Sequence, residues 1–155
     1  MRIGHGFDAH AFAVGRRLVL GGVDVPHDKG LAGHSDGDVL THAVIDALLG
    51  AAGLGDIGGM FPSSDERYRD ADSLKLLVEA YSKVREAGLR LGNVDATIVA
   101  EAPRLSVHVA AMRERIAGAT GVEAGQVSIK ATTSDGLGFT ESGAGIAAFA
   151  VVLLE

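Results

Sequence analysis

The sequence predicts an α/β or α+β sandwich, with helices laid on a β-sheet. Three observations lead there. Segments whose apolar residues alternate with period 2 exchange along the chain with segments of helical period. Glycine, 22 of 155 residues, clusters at 21–22, 30–37, 53–59 and 136–145 without forming a repeat, which marks frequent chain reversals. No stretch rich in Pro, Ser or charge divides the sequence, so residues 1–155 read as one domain, long enough to bury a core. With aromatics at 5% and no tryptophan, that core must come from Ala, Val, Leu and Ile.

The elements follow in order. Residues 1–12 read as a strand. In "RRLVLGGVDVP" two short strands meet at Gly21-Gly22. "SDGDVLTHAVIDALLGAAG" opens on cap-type residues, carries Val39, Val44, Ala47, Leu48 and Ala51 at helical spacing, and ends near Gly53. "DSLKLLVEAYSKVREAG" is the clearest helix: Leu74, Leu77, Val78, Tyr81 and Val84 form one apolar stripe, which Gly88 closes. "NVDATIVA" is a strand that places Val94, Ala96, Ile98 and Ala100 on one face. Residues 106–118 read as a helix after Pro103, and "QVSIKA" and "GIAAFAVVLL" as strands. The last shows little polar alternation, so both its faces are expected to be covered, one of them by another subunit.

Composition excludes several function classes. Without cysteine there is neither a disulfide nor a thiolate metal site, so any metal must be held by His, Asp or Glu. The net charge is −6, from 20 acidic and 14 basic residues with no basic cluster, which argues against nucleic acid as a partner. The longest apolar stretch is too short to span a bilayer and the N-terminus lacks a secretory pattern, so no membrane partner and a cytoplasmic location are expected. An acidic protein that binds a phosphorylated small molecule needs metal ions, helix N-termini or backbone amides to neutralise it.

The chemistry starts at "GFDAH". On a strand, Asp8 and His10 project to one face while Phe7 and Ala9 turn the other way into a core. The pair reads as two metal ligands or as a surface pair. A third ligand is offered by His42, inside the helix of "HSDGDVLTHAVIDALLG". Asp38, His42 and Asp46 are spaced four apart on one helical face, so Asp38 or Asp46 could hold the second imidazole nitrogen of a ligating His42. Asp8, His10 and His42 together leave a fourth coordination position open, as in a catalytic zinc site, and would equally suit non-haem iron. His34 and Ser35 stand where the backbone N–H groups of a helix start would face a phosphate. Asp56, in the glycine loop "LGDIGGMFP", could accept from sugar hydroxyls. "KATTSDGLGF" offers Thr132 and Thr133 to phosphate oxygens and Asp135 to a hard cation such as Mg²⁺, or is simply a turn. Neither a P-loop nor a dinucleotide fingerprint is present. His5, His27 and His108 have no such company.

"GFDAH", "HSDGD", the His42 helix, "LGDIG", "FP", "NVDATI", "AP" and "KATTSDGLGF" occur in order along nearly the whole chain. Each is modest in specificity; the ordered set is very specific. It closely resembles the 2-C-methyl-D-erythritol 2,4-cyclodiphosphate synthase family of the non-mevalonate isoprenoid pathway. The resemblance implies a mixed β-sheet with helices packed on one face, in a homotrimer whose active sites lie between subunits. It implies a cytidine diphosphate substrate, 4-diphosphocytidyl-2-C-methyl-D-erythritol 2-phosphate, whose 2-phosphate attacks its own β-phosphorus and expels CMP.

By the same resemblance, Asp8, His10 and His42 hold Zn²⁺, and Asp135 holds a Mg²⁺ or Mn²⁺ that bridges the diphosphate. His34 and Thr133 stabilise the transition state. Substrate contacts are implied for Asp8, Ala9, His10, His34 and Ser35, and for Asp56, Ile57 and Gly58 at ribose or methylerythritol. They are implied too for Phe61, Pro62, Ser63, Ser64 and Asp65. The loop Ala100, Glu101, Ala102, Pro103, Arg104, Leu105 and Ser106 encloses cytosine, with Ala131, Thr132, Thr133, Ser134, Asp135 and Phe139 alongside.

The chain departs from the family pattern in three places. Ser63-Ser64-Asp65 stands for Asp-Thr-Asp, Asp135 stands for Glu, and Glu141, Ser142, Gly143 and Ala144 replace an Arg-Gly-Glu pattern. In relatives that Arg and Glu line a central trimer cavity where isoprenoid diphosphates bind, so this ancillary binding does not carry over. The alternatives are a metal-dependent phosphohydrolase, a non-haem iron oxidase, or a trimeric metal- or isoprenoid-binding protein without turnover.

Overall fold

The computed structural model describes residues 1–138 and 143–155. Five strands form one sheet: β1 (Arg2–Val14), β4 (Lys29–Leu31), β5 (Leu91–Val99), β6 (Val127–Thr132) and β7 (Gly145–Leu154). Their order is β4-β1-β7-β5-β6; the β5–β6 pairing is parallel and the others are antiparallel, so the sheet is mixed. β2 (Leu18–Leu20) and β3 (Val23–Val25) make the expected separate hairpin, and Gly21 and Gly22 supply the positive φ its tight turn demands.

Helix α1 (Val39–Ala52) lies against β1 and β7 and is covered on its outer side by α3 (Ser73–Glu86). That double cover explains why Leu40, Ala43, Ile45 and Leu49 are buried along with the sequence-predicted stripe. Gly53 closes α1 in the left-handed conformation. α4 (Val109–Thr120) carries the crossover between the parallel strands β5 and β6 and packs on α3 and β6. The short α2 (Ile57–Met60) and strand β4 were not anticipated from sequence.

Two expectations are corrected. On α3 the buried residues are Leu76, Leu77, Ala80, Tyr81 and Val84, while Val78 is 51% exposed. Leu77, Tyr81 and Val84 of the expected stripe are buried and Leu74 is half-buried, while Leu76 and Ala80 replace Val78 because α3 packs against both α1 and α4. On β1 the buried positions are Gly4 and Gly6, in line with the half-buried Asp8 and His10, and Phe7 and Ala9 point away from the helices and are exposed. The helix-facing side of the sheet is one surface, running through Gly6, Ala150, Ala96 and Ile129 in register. The opposite side of this chain carries Ile3, Phe7, Phe149 and Val151, each more than 40% exposed, with the Phe7 and Phe149 rings 4.9 Å apart. The C-terminal strand is thus covered on one face by its own chain.

Candidate active site

β1 and α1 bring Asp8, His10 and His42 together. Asp8 Oδ2 lies 2.7 Å from His10 Nε2 and 3.0 Å from His42 Nδ1, and the two ring nitrogens are 3.3 Å apart. One carboxylate oxygen and two imidazole nitrogens converging this closely fit a divalent metal, with room for a further ligand. It is the one such cluster among the described residues. Strand alternation aims Asp8 and His10 at α1, and His42 meets them from one turn inside the helix.

Burial alone would raise the Asp8 carboxyl, but hydrogen bonds and charge from His10 and His42 outweigh it and hold the group well below the usual carboxylate range. At His10 burial pulls the imidazole down, while the Asp8 carboxylate and a hydrogen bond to the Ala32 backbone push it further the other way, leaving it raised.

The cluster forms part of the wall of a cleft of about 360 Å³. His34, Ser35, Ile57, Gly58, Phe61, Pro62, Ser63 and Ser64, among the residues for which the family resemblance implies substrate contacts, line the same cleft. Tyr68 and Leu76 complete it and were missed. No local motif marks them; Tyr68 enters through an edge-on contact with Phe61 at 5.2 Å. The His34 segment is clamped from behind. Arg16 donates to the carbonyls of Gly33 and Ser35, Asp70 N–H donates to His34 O at 2.8 Å, and His34 Nε2 lies 3.1 Å from the Asp65 carbonyl.

Two local readings are corrected here. α1 starts at Val39, after the His34-Ser35 pair, and its N-cap is the fully buried Asp38, which accepts from Thr41 N and Oγ1 and from the Gly21 and Gly22 N–H groups. The helix start is therefore capped from within and closed to an anion. Neither Asp38 nor Asp46 supports His42. Asp46 accepts from Ile57 N at 3.0 Å, and His42 Nε2 instead meets Ser35 Oγ at 3.0 Å and Ser73 Oγ at 2.9 Å. Helical side chains lean toward the helix N-terminus, which carries the His42 ring away from position 46.

A second hollow, about 400 Å³, is lined by Ala100, Glu101, Pro103, Arg104, Leu105 and Ser106 with Ala131, Thr132 and Thr133. Ala102, Ser134 and Asp135 are outside its lining. Glu101 reaches across to accept from Ser134 N and Oγ, which holds its own carboxyl low, and Thr133 Oγ1 donates to Asp135 Oδ1 at 3.1 Å. Asp135 has φ +53, the left-handed conformation of a tight turn. Asp56 lines neither hollow and caps α2 through Gly59 N. Asp65 presents its carbonyl to His34 and its carboxylate to Arg67. Ala9 lies on the opposite face of β1, its N–H on Asp8 Oδ1. Phe139 and Ser142, with Thr140 and Glu141, lie outside the described residues. Row by row across the sheet, Asp8 pairs with Ala148, Ala148 with Ile98 and Ile98 with Ala131. Three strand spacings put the two hollows roughly 14 Å apart on one chain.

The chain matches the model of the YgbB family over residues 1–155. It is 64% identical over 154 residues to the 2-C-methyl-D-erythritol 2,4-cyclodiphosphate synthase of Moorella thermoacetica, covering 99% of this chain and 94% of that protein. Among solved structures it superposes on 2C-methyl-D-erythritol-2,4-cyclodiphosphate synthase in a CDP-bound form, with TM-score 0.91, 37% identity, and 99% and 100% of the two chains covered. It also superposes on the bifunctional IspDF of Campylobacter jejuni, with TM-score 0.95, 44% identity and 99% of this chain covered, spanning 42% of that longer protein.

Proposed function

The chain belongs to the YgbB family, and from that premise we propose that it converts 4-diphosphocytidyl-2-C-methyl-D-erythritol 2-phosphate to 2-C-methyl-D-erythritol 2,4-cyclodiphosphate and CMP. It is then a cyclising phosphorus-oxygen lyase of isoprenoid precursor biosynthesis. A 2-phosphate oxygen attacks the β-phosphorus, and the bond from that phosphorus to the oxygen of the cytidine phosphate breaks. The observation that carries the reading is the convergence of Asp8 Oδ2, His10 Nε2 and His42 Nδ1 in the wall of a cleft that His34 shares.

Both reacting groups belong to one molecule, so alignment can replace about 7–11 kcal/mol of the barrier. The chain's part is to hold the two ends in line and to neutralise charge. Zn²⁺ held by Asp8, His10 and His42, with Mg²⁺ or Mn²⁺ at Asp135, supplies polarisation at phosphorus and countercharge to the diphosphate. Asp135 is a lone carboxylate, which suits an ion held mainly by substrate phosphates. His34, anchored through Nε2 to the Asp65 carbonyl, keeps Nδ1 for a phosphate oxygen and, when protonated, donates to the charge that develops there. Thr133 donates its hydroxyl to the same phosphates. The hollow at residues 100–106 encloses cytosine, largely through backbone groups.

The two hollows become one site in a homotrimer, where the metal cleft of one subunit faces the cytosine hollow of the next. The uncovered apolar sheet face supports this assembly, because an exposed patch containing Phe7, Phe149 and Val151 is otherwise costly in water. A cytoplasmic location goes with this reading, and no described helix is long and apolar enough to cross a membrane.

Phosphorus NMR of the protein with this substrate, zinc and magnesium tests the proposal. CMP with two coupled diphosphate signals, abolished by chelator, is the expected result. Unchanged substrate in protein carrying stoichiometric zinc would overturn it, and an open monophosphate product would move the activity to hydrolysis.

A further inference from the structure

His42 turns Nδ1 toward Asp8 and His10, and its other nitrogen lies between two hydroxyls, 2.9 Å from Ser73 Oγ and 3.0 Å from Ser35 Oγ. A hydroxyl can donate or accept, so these distances alone leave the imidazole tautomer open. Asp36 decides it. Its Oδ1 takes the Ser73 hydroxyl at very short range, and its Oδ2 takes the Ser73 backbone N–H at 2.9 Å. A carboxylate has only acceptors, so the Ser73 proton is committed to Asp36 and Ser73 Oγ has only lone pairs left for His42. Nε2 must then carry a hydrogen. Nδ1 faces the Asp8 carboxylate at 3.0 Å, to which it donates in a doubly protonated ring, and it offers its lone pair to a metal once the ring holds only the Nε2 hydrogen.

The arrangement is held firmly. Ser73 is fully buried as the first residue of α3, and Asp36 Oδ1 also accepts from Asp38 N at 3.1 Å, so the carboxylate cannot easily rotate away. The start of α3 is thereby tied to the wall of the cleft.

We propose that Ser73 and Asp36 are positioning residues for the metal centre, forming an Asp36–Ser73–His42 relay that fixes His42 in its Nε2–H tautomer and presents Nδ1 as the metal donor. The inference rests on the metal reading above and adds to it. A ligating imidazole whose distal N–H is anchored through an anion is better oriented and more basic, and such outer partners are commonly worth 10- to 100-fold in metal affinity. Neither residue lines the metal cleft, so their effect on the reaction passes through His42.

The test uses protein labelled with ¹⁵N-histidine, metal-free at pH 8, with the His42 signals assigned by their loss in His42→Gln. The relay predicts a protonated Nε2 in the wild type. Ser73→Ala is expected to shift His42 toward the Nδ1–H form that the Asp8 carboxylate accepts and to weaken zinc binding 10- to 100-fold in chelator competition. Its metal-free unfolding temperature serves as the control for folding. A wild type whose Nε2 carries no hydrogen overturns the proposal, as does a folded Ser73→Ala variant with unchanged zinc affinity. Should Ser73→Ala not fold, the wild-type tautomer decides alone. A wild type that takes up no zinc overturns the metal centre itself, while the tautomer measurement still judges the relay.

Discussion

Gly6 of β1 sits so close to Ala43 of α1 that a methyl group on it would lie 2.0 Å from the Ala43 carbonyl oxygen. Gly4 meets the Ala47 carbonyl in the same way, at 1.9 Å. Backbone therefore packs on backbone where the strand bearing Asp8 and His10 crosses the helix bearing His42, and this contact sets the distance between the ligands. Gly6→Ala should push the helix off the strand. The expected cost is about 1–3 kcal/mol of stability, as for other overpacked cores, with weaker zinc binding beside it. Calorimetry and chelator competition on the same sample check both; an unchanged metal affinity would show that the ligands do not depend on this contact.

Asp38 joins the β2–β3 turn to the start of α1. Burial pushes its carboxyl up even though Thr41 and Gly22 pull it down, so the group is held at some cost. Removing it is worse, because the N–H groups of Gly21 and Thr41 would be buried without an acceptor. Asp38→Ala is expected to lose on the order of 3 kcal/mol, seen as a lower denaturation midpoint. A loss no larger than that of an exposed substitution would contradict the capping role.

Glu101 belongs to the proposed cytosine loop and holds the Ser134 N–H at 2.8 Å and hydroxyl at 2.7 Å, beside Thr133 and Asp135. It is exposed, so the link orders two loops and adds little to global stability. Glu101→Ala is expected to raise KM for the cytidine substrate several-fold while the unfolding temperature stays unchanged. Steady-state kinetics with a thermal scan separates this from a folding defect; an unaltered KM would remove the loop link from the account of binding.

How far the sequence could be read depended on whether a signal was local. Asp8 and His10 declare themselves through strand alternation, and the α1 and β5 core residues through their periods. The supports of His42 do not, since Ser73 and Asp36 lie 37 residues apart and meet only when α3 packs on α1. "HSDGD" holds several residues able to cap a helix, and the one that does, Asp38, is chosen by burial against Gly21 and Gly22 rather than by spacing. Alternation sets Phe7 and Ala9 on the face opposite Asp8 and His10, and that face is expected to be the core. The close packing of Gly4 and Gly6 on α1 fixes which face of β1 turns inward, and Phe7 falls on the other. Period alone does not say which of two strand faces meets a helix.

The metal-free and zinc-loaded proteins should respond to pH in opposite ways. The Asp8 carboxyl is held below its ordinary 3.8, so its stabilisation is present above pH 3.8 and is lost only as pH falls through the lowered folded value. The His10 imidazole is raised above its ordinary 6.5, so its stabilisation is complete below pH 6.5 and is lost as pH rises through the raised folded value. In metal-free protein the pair therefore stabilises most between pH 3.8 and 6.5, and that contribution declines on the alkaline side. Zinc requires His10 without its proton, so metal binding strengthens over the range in which the pair weakens. The zinc-induced rise in unfolding temperature is expected to grow steadily from pH 6 to pH 8 and to shrink sharply in His10→Gln. Thermal scans with zinc and with chelator across that range measure it. A zinc shift that stayed flat with pH would mean that His10 is not giving up a proton to the metal.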